Sequence, residues 1–402
     1  MQRIVLALLL LHFTCACQKD IALPQYDTNG SLIEKLTEIH QNGQLPGFAV
    51  TIVTEDSILF EQAIGYANVE EQIPYTLNTQ QNIASLSKTF IGVALMKTIE
   101  KGKFNLDTPI NDLLPFEVIN PHSRDQAITI RHLATHTSGI HDGAIEYKSV
   151  FLLEDFNFSK KQIGKENYRF FQEWAENKEE SLGTFLQEAL TESGSHYGKD
   201  RFLKTRAGTQ FEYSNLGAAL LAYLIEMVND KPFKAFVEEE IFVPLRMNQT
   251  QWSMNSKMKT VGYFQDGHAV PQYQSILYPA GGISSTLHDL QTYLMSIMKN
   301  YDKEEILLNP TNFREMMNPQ LDTEQHTLSG EKNRGLMWEI NGKKVGHNGG
   351  NYGRTLFMAF DTEKQFGCIF MTNISSYKDQ SLIPQMIEIW KLLEEEGIRL
   401  IR

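Results

Sequence analysis

Ser85 and Lys88 stand three residues apart in Ile83-Ala84-Ser85-Leu86-Ser87-Lys88-Thr89-Phe90, just before the apolar run IGVALM. On a helix, residues three apart share a face, so the hydroxyl and the amine come within hydrogen-bonding reach. A helix N-terminus adds unpaired N–H groups and the positive end of its dipole, which favour an alkoxide or oxyanion there. The chemistry open to this pair is nucleophilic: Ser85 attacks and Lys88 removes its proton. A lysine near pKa ~10.4 is a poor base at neutral pH, but desolvation on an apolar helix can lower it by ~3 to 5 pH units. The competing reading is that Lys88 snorkels to solvent from the first turn. Ser-x-x-Lys begins at five serines, Ser85, Ser256, Ser296, Ser329 and Ser375, so the spacing alone decides nothing. Only the first opens a helix that is apolar nearly all round, with no charge between Lys88 and Lys97.

Two further stretches join it: Tyr213-Ser214-Asn215 and His347-Asn348-Gly349. Tyr-x-Asn also occurs at Tyr66, and His-x-Gly at His141. Taken in the order serine, tyrosine, third motif, the set Ser85, Tyr213, His347 resembles the serine β-lactamase and penicillin-binding peptidase superfamily, especially its class C-like branch. The segments ITIRHLATHTSGI, AGTQFEYSNLGAALLAYLIE, PAGGISSTLHDLQTYL and FMTN are similar to that family's recurrent text, over roughly residues 45 to 375. The resemblance implies an α/β fold of the α+β type, β-lactamase/transpeptidase-like, with an antiparallel sheet from both chain ends flanked by helices and an inserted helical subdomain. It also implies roles. Tyr213 shuttles the proton between Ser85 and the leaving group, a Lys88 cation drawing its phenol from ~10 toward 7. Asn215 holds Lys88 and the substrate amide. The oxyanion sits between the backbone N–H groups of Ser85 and Gly350, and glycines at 349 and 350 let a substrate backbone approach. The plainer alternatives are that Tyr213 is a core aromatic and that HNGG is a hairpin turn.

The third motif departs from the family pattern. His347 stands where many members carry lysine, a histidine that resembles the D-peptidase members more than the true class C β-lactamases, and an imidazole near pKa ~6.5 loses its charge toward alkaline pH. Asn348 replaces a hydroxyl that commonly contacts a substrate carboxylate, and no dedicated deacylating glutamate is identifiable. His132 and His136, four apart, with His141 close behind, have ligand-like spacing for zinc. Leu133 stands where HExxH needs its glutamate, so neither a metal nor another cofactor is expected. GxSxG is absent.

Around these residues the 402-residue chain has globular composition, 42% hydrophobic and 21% charged. A net charge of -12 without clustered Lys and Arg argues against a nucleic-acid partner. Residues 1–16 read as a signal peptide: Arg3 precedes an apolar stretch over 4–13, too short to span a bilayer that needs ~20 helical residues. Cys17 after Ala16 resembles a lipobox cysteine, predicting an exported protein lipid-anchored in the bacterial envelope; plain secretion is the alternative. Residues 17–30 read as a linker and 31–402 as one catalytic domain. In it, 31–80 and 270–402 build the sheet part, and 81–269 form a helical subdomain with an insertion at about 145–207. Strands are predicted on either side of Glu55-Asp56-Ser57, and in LMWEI, KKVGHNGG, RTLFMAF and FGCIFMTN. The expected function is a serine hydrolase forming an acyl-enzyme on Ser85, acting on D-amino-acid peptides, small esters or β-lactams. The alternative is a catalytically weak peptidoglycan- or penicillin-binding protein on the same scaffold. Oligomeric state is not legible.

Overall fold

The computed structural model describes residues 30–154, 165–252, 260–301, 304–330, 332–376 and 380–402. The leader, Cys17 and most of the linker lie outside these. Helix α1 (Gly30–Asn42) leads into β1 (Gly47–Val53), β2 (Ile58–Asn68) and β3 (Ile73–Pro74). The helical part follows, with α2 (Ser87–Glu100), α3 (Ile130–Ala134), α4 (Ile145–Lys148), α5 (Lys165–Glu176), α6 (Leu182–Leu190) and α7 (Asn215–Asn229). After α8 (Leu287–Tyr301) come β4 (Asn333–Arg334), β5 (Glu339–Asn341), β6 (Lys344–Asn351), β7 (Arg354–Asp361), β8 (Phe366–Thr372) and the closing helix α9 (Ile383–Leu400).

The eight strands form one antiparallel sheet in the order β3-β2-β1-β8-β7-β6-β5-β4. The join between the chain's two ends is β1 on β8, with Phe48 opposite Thr372 and Val53 opposite Gly367. Strand β1 is buried along its whole length, which is why GFAVTIV does not alternate and its one polar side chain, Thr51, donates to the Phe60 carbonyl at 2.8 Å. Its residues still divide by period two. Phe48, Val50 and Ile52 face a layer made with Leu32 and Leu36 of α1 and Met386, Ile389, Trp390 and Leu393 of α9. Ala49 and Val53 face the larger core, shared with α2, α7 and α8.

Helix α2 belongs to that core from Ser87 to Met96. Phe90 stacks on Tyr293 of α8 with ring centroids 4.1 Å apart, and Lys88 is 0% exposed among these apolar neighbours. A helix apolar all round is a buried one, so the snorkelling alternative for Lys88 fails. One strand prediction shifts, and the turn alternative for HNGG fails. In LMWEI, Met337 adopts a left-handed φ of 65° and its N–H turns out to the Ala134 carbonyl, so the strand begins only at Glu339. HNGG is not a turn: β6 runs on to Asn351, pairing with Arg354, and the reversal is made at Tyr352-Gly353, where Gly353 has φ 81°.

Candidate active site

Ser85 sits in a 3-10 turn, Ala84–Leu86, directly ahead of α2. Ala84 before it has φ 46°, a left-handed conformation costing a non-glycine residue on the order of 1–3 kcal/mol. The surroundings hold it there. The Ala84 N–H donates to Asn82 Oδ1 at 2.9 Å, Asn82 Nδ2 donates to the Gly281 carbonyl at 2.8 Å, and the Ile83 N–H donates to the Ile283 carbonyl at 2.9 Å. Asn351 at the end of β6 donates to the same Asn82 oxygen at 2.7 Å. Asn82 is thus the clamp that fixes the serine turn to β6 and to the 281–283 segment. No spacing rule in the sequence points to it.

Lys88 Nζ lies 3.2 Å from Ser85 Oγ and donates to Asn215 Oδ1 and to the Ala280 carbonyl, both at 2.7 Å. Those two oxygens only accept, so they take two N–H bonds whatever the charge state. In the neutral amine, the remaining position is a lone pair facing the serine hydroxyl. Burial brings Lys88 down to about 7, with Asp142 and Glu146 opposing the fall.

Tyr213 and Asn215 flank the start of α7, where Asp142 serves as a surrogate cap. One oxygen of Asp142 accepts from Ser214 Oγ at 2.7 Å and the Leu216 N–H at 2.9 Å; the other accepts from the Asn215 N–H at 2.6 Å. Three donors on one carboxylate set the angle at which Asn215 reaches Lys88. The second half of the Asn215 amide, Nδ2, donates to Glu146 Oε1 at 3.0 Å. Asp142 and Glu146 are absent from the candidates read in the sequence, because nothing in HDGAIEY gives their direction. The Tyr213 ring lies 4.9 Å from Lys88 Nζ and 6.4 Å from the His347 ring. Burial pushes its phenol above the usual range, and the Ser85 hydroxyl offsets that only in part. This corrects the expectation of a phenol drawn toward 7: desolvation outweighs every charge near the ring, and Tyr213 holds its proton.

His347 is corrected in the same sense. The ring is 2% exposed, and burial takes it down to about 4, the Lys88 and Arg334 charges adding to the fall and Glu339 opposing it. At neutral pH it carries no charge. Its Nδ1 lies 2.6 Å from the Asn348 carbonyl, which only accepts, so Nδ1 holds the proton and Nε2 the lone pair. Positive charge resides nearby in Lys332 and Arg334, both 2.9 Å from Glu339. Although burial opposes it, these two cations hold the Glu339 carboxyl well below the usual carboxylate range.

Gly349 and the Gly350 that follows it do different work from each other. A Cβ on Gly349 would stand 2.5 Å from the Ile83 carbonyl, whereas one on Gly350 would meet nothing within 4 Å. Gly349 therefore lets β6 close against the serine turn, and Gly350 faces open space in the cleft. Gly349→Ala is expected to lower turnover at least ~100-fold with a loss of ~1–3 kcal/mol in stability, as overpacking against rigid backbone does. Gly350→Ala is expected to keep wild-type melting behaviour. Equal denaturation midpoints for the two variants would contradict this assignment.

The cleft over Ser85 has a volume of about 130 Å³, with Glu146, Trp174, Asn215, Tyr273 and Gly350 in its wall. Trp174 comes from the 145–207 segment, whose residues 155–164 lie outside the described set. A larger adjoining pocket of about 340 Å³ shares Tyr273, Ser275, Gly281 and Asn351 with the cleft but does not reach Ser85. The zinc-like histidines disperse. His132 Nδ1 accepts the Thr129 N–H, His136 Nδ1 accepts the Ser214 N–H, and His141 bonds Glu212 at 2.7 Å. Among the described residues no group of three His, Cys, Asp or Glu side chains could hold a metal ion.

The family model described as Beta-lactamase matches residues 32–385. Protein flp of Staphylococcus aureus (strain MRSA252) is 22% identical over 360 residues, covering 87% of this chain and 62% of that protein. The chain thus spans less than two thirds of that relative's length. Among solved structures, an octameric penicillin-binding protein homologue from Pyrococcus abyssi superposes with a TM-score of 0.69 at 24% identity, over 90% of this chain and 77% of the other. A class C beta-lactamase mutant superposes with a TM-score of 0.66 at 19% identity, over 91% and 97%.

Proposed function

Because the chain belongs to the Beta-lactamase family, we propose that it is a serine hydrolase whose acyl-enzyme forms on Ser85. The observation that carries this reading is the Lys88 amine, pinned by two acceptor oxygens at 2.7 Å so that its third position faces the serine hydroxyl at 3.2 Å. In the proposed acylation, Ser85 Oγ attacks a carbonyl carbon as its proton passes to Lys88. The Ser85 and Gly350 N–H groups receive the oxyanion. The protonated Tyr213 phenol donates to the leaving group and is reprotonated through Lys88. Asn215 keeps Lys88 in register.

The substrates proposed are D-amino-acid peptides, small esters or β-lactams; the names of the penicillin-binding and beta-lactamase relatives make those chemistries the first probes. The cleft supports a compact acyl group, since Trp174 and Tyr273 pack 5.0 Å apart in its wall. Export and anchorage through Cys17 are proposed on the leader sequence alone.

The test is intact-mass measurement of the protein after exposure to D-Ala-D-Ala peptides, penicillin and p-nitrophenyl esters, with product release followed in parallel. An adduct mapped to Ser85 together with turnover of at least one class is the expected result. Binding without adduct or turnover across all three classes would instead favour a non-catalytic capture protein.

A further inference from the structure

Deacylation needs a base for water, and the residues that serve acylation are poorly placed to supply it. Lys88 is 0% exposed, two of its amine positions are held by Asn215 and Ala280, and the third faces the Ser85 oxygen, to which it must return a proton. Tyr213 keeps its proton, and His347 is 2% exposed and outside the cleft wall. Glu146 differs from all three. It projects from the single turn of α4, is only half-buried, and lines the cleft together with Ser85. Among the described residues, its carboxylate receives one hydrogen bond, from Asn215 Nδ2 to Oε1 at 3.0 Å, which leaves Oε2 for a water. The same Asn215 amide holds Lys88 through its oxygen, so one side chain fixes both bases.

Resting on the acyl-enzyme reading above, we propose that Glu146 is the base that activates the hydrolytic water, alternating with Lys88, to which the Asn215 amide joins it. With Lys88 neutral and Glu146 protonated, the pair is set for acylation: the serine proton goes to Lys88 and leaves with the departing group. The Glu146 proton then moves, by way of cleft water, to Lys88. Water attacks the acyl carbonyl carbon and gives its proton to Glu146. Collapse breaks the bond between that carbon and Ser85 Oγ, and the serine oxygen takes its proton from Lys88. The pair returns to its starting form with the acid released, and no proton is gained or lost over the cycle. The electrostatics suit such an exchange. Burial lowers Lys88 to about 7, while burial and the neighbouring Asp142 raise Glu146 to about 7.

The experiment compares pre-steady-state and steady-state hydrolysis of p-nitrophenyl acetate by the full protein and its Glu146→Gln variant, with intact mass taken during turnover. Expected for Glu146→Gln is a nitrophenol burst within ~10-fold of the wild-type acylation rate. Steady-state turnover should fall ~10²–10⁴-fold, the range for loss of a general base, with an acetyl adduct persisting on Ser85. Glu146→Asp should recover at least tenfold of the lost turnover, which a neutral prop for Asn215 would not, and it carries the test if the glutamine variant does not fold. Unchanged turnover in Glu146→Gln, or burst and turnover falling by the same factor, overturns the proposal. Failure of the underlying acyl-enzyme reading looks different: wild-type turnover would survive Ser85→Ala.

Discussion

Ser85→Ala is expected to lower turnover by about 10⁴-fold or more and to abolish the covalent adduct, since the Ser85 hydroxyl is the one that lies 3.2 Å from the Lys88 amine. The fold should tolerate the change. Ser85 is half-buried, and its loss removes only the longest of the three Lys88 contacts, at 3.2 Å, while the Asn82 clamp on the turn stays intact. A stability change under about 1 kcal/mol follows, measurable by thermal melting. Because nucleophile and base act as a unit, Ser85→Ala combined with Lys88→Met should be little slower than either single variant. Multiplicative losses in the double variant would mean that the two residues act in separate steps.

Lys88→Met should lower turnover by about 10³-fold or more, with retained folding. Its stability is a balance of two large terms. In the folded protein Lys88 titrates at about 7 instead of 10.5, so at pH 7 the buried amine costs roughly 4 kcal/mol relative to an unperturbed lysine. Removing it relieves that cost but leaves Asn215 Oδ1 and the Ala280 carbonyl without a donor, a loss of ~1–3 kcal/mol each. The two nearly cancel. The sign with pH follows from proton counts: between about 7 and 10.5 the unfolded chain binds more protons than the folded one, so the Lys88 contribution grows more favourable as pH rises through that window. Activity follows the same group. Wild-type acylation, read as burst rate, should rise with pH and level off above about 7 as the amine loses its proton, with Asp142 and Glu146 as the charges facing it. His347 should contribute no limb between pH 6 and 8, since it is already neutral there. A burst rate flat from pH 5 to 9 would remove Lys88 from the base role.

Much of the fold was written locally. The run GFAVTIV is uncharged throughout and apolar but for Thr51, as a strand covered on both faces must nearly be, and α2 lacks any polar stripe, as a helix inside the core must. The Glu55-Asp56-Ser57 turn was legible for the same reason: periodicity and breakers are properties of neighbours in sequence. The family model and the superpositions bear out the β-lactamase-like fold that the ordered motifs implied.

What the sequence determined by itself was the kinds of group present, their order along the chain, and the apolar environment of Lys88. What only the tertiary structure decided was the electrical state of those groups and the identity of their partners. The neutrality of His347, the retained proton of Tyr213, the clamp made by Asn82, and the placing of Asp142 and Glu146 around Asn215 all depend on segments more than sixty residues apart. The physical reason is that protonation is set by desolvation and by charges a few ångströms away, across contacts that no linear spacing encodes. Gly349 makes the same point in steric terms. Its glycine is required by a carbonyl at Ile83, more than two hundred and sixty residues earlier, which folding brings to where a methyl group would stand.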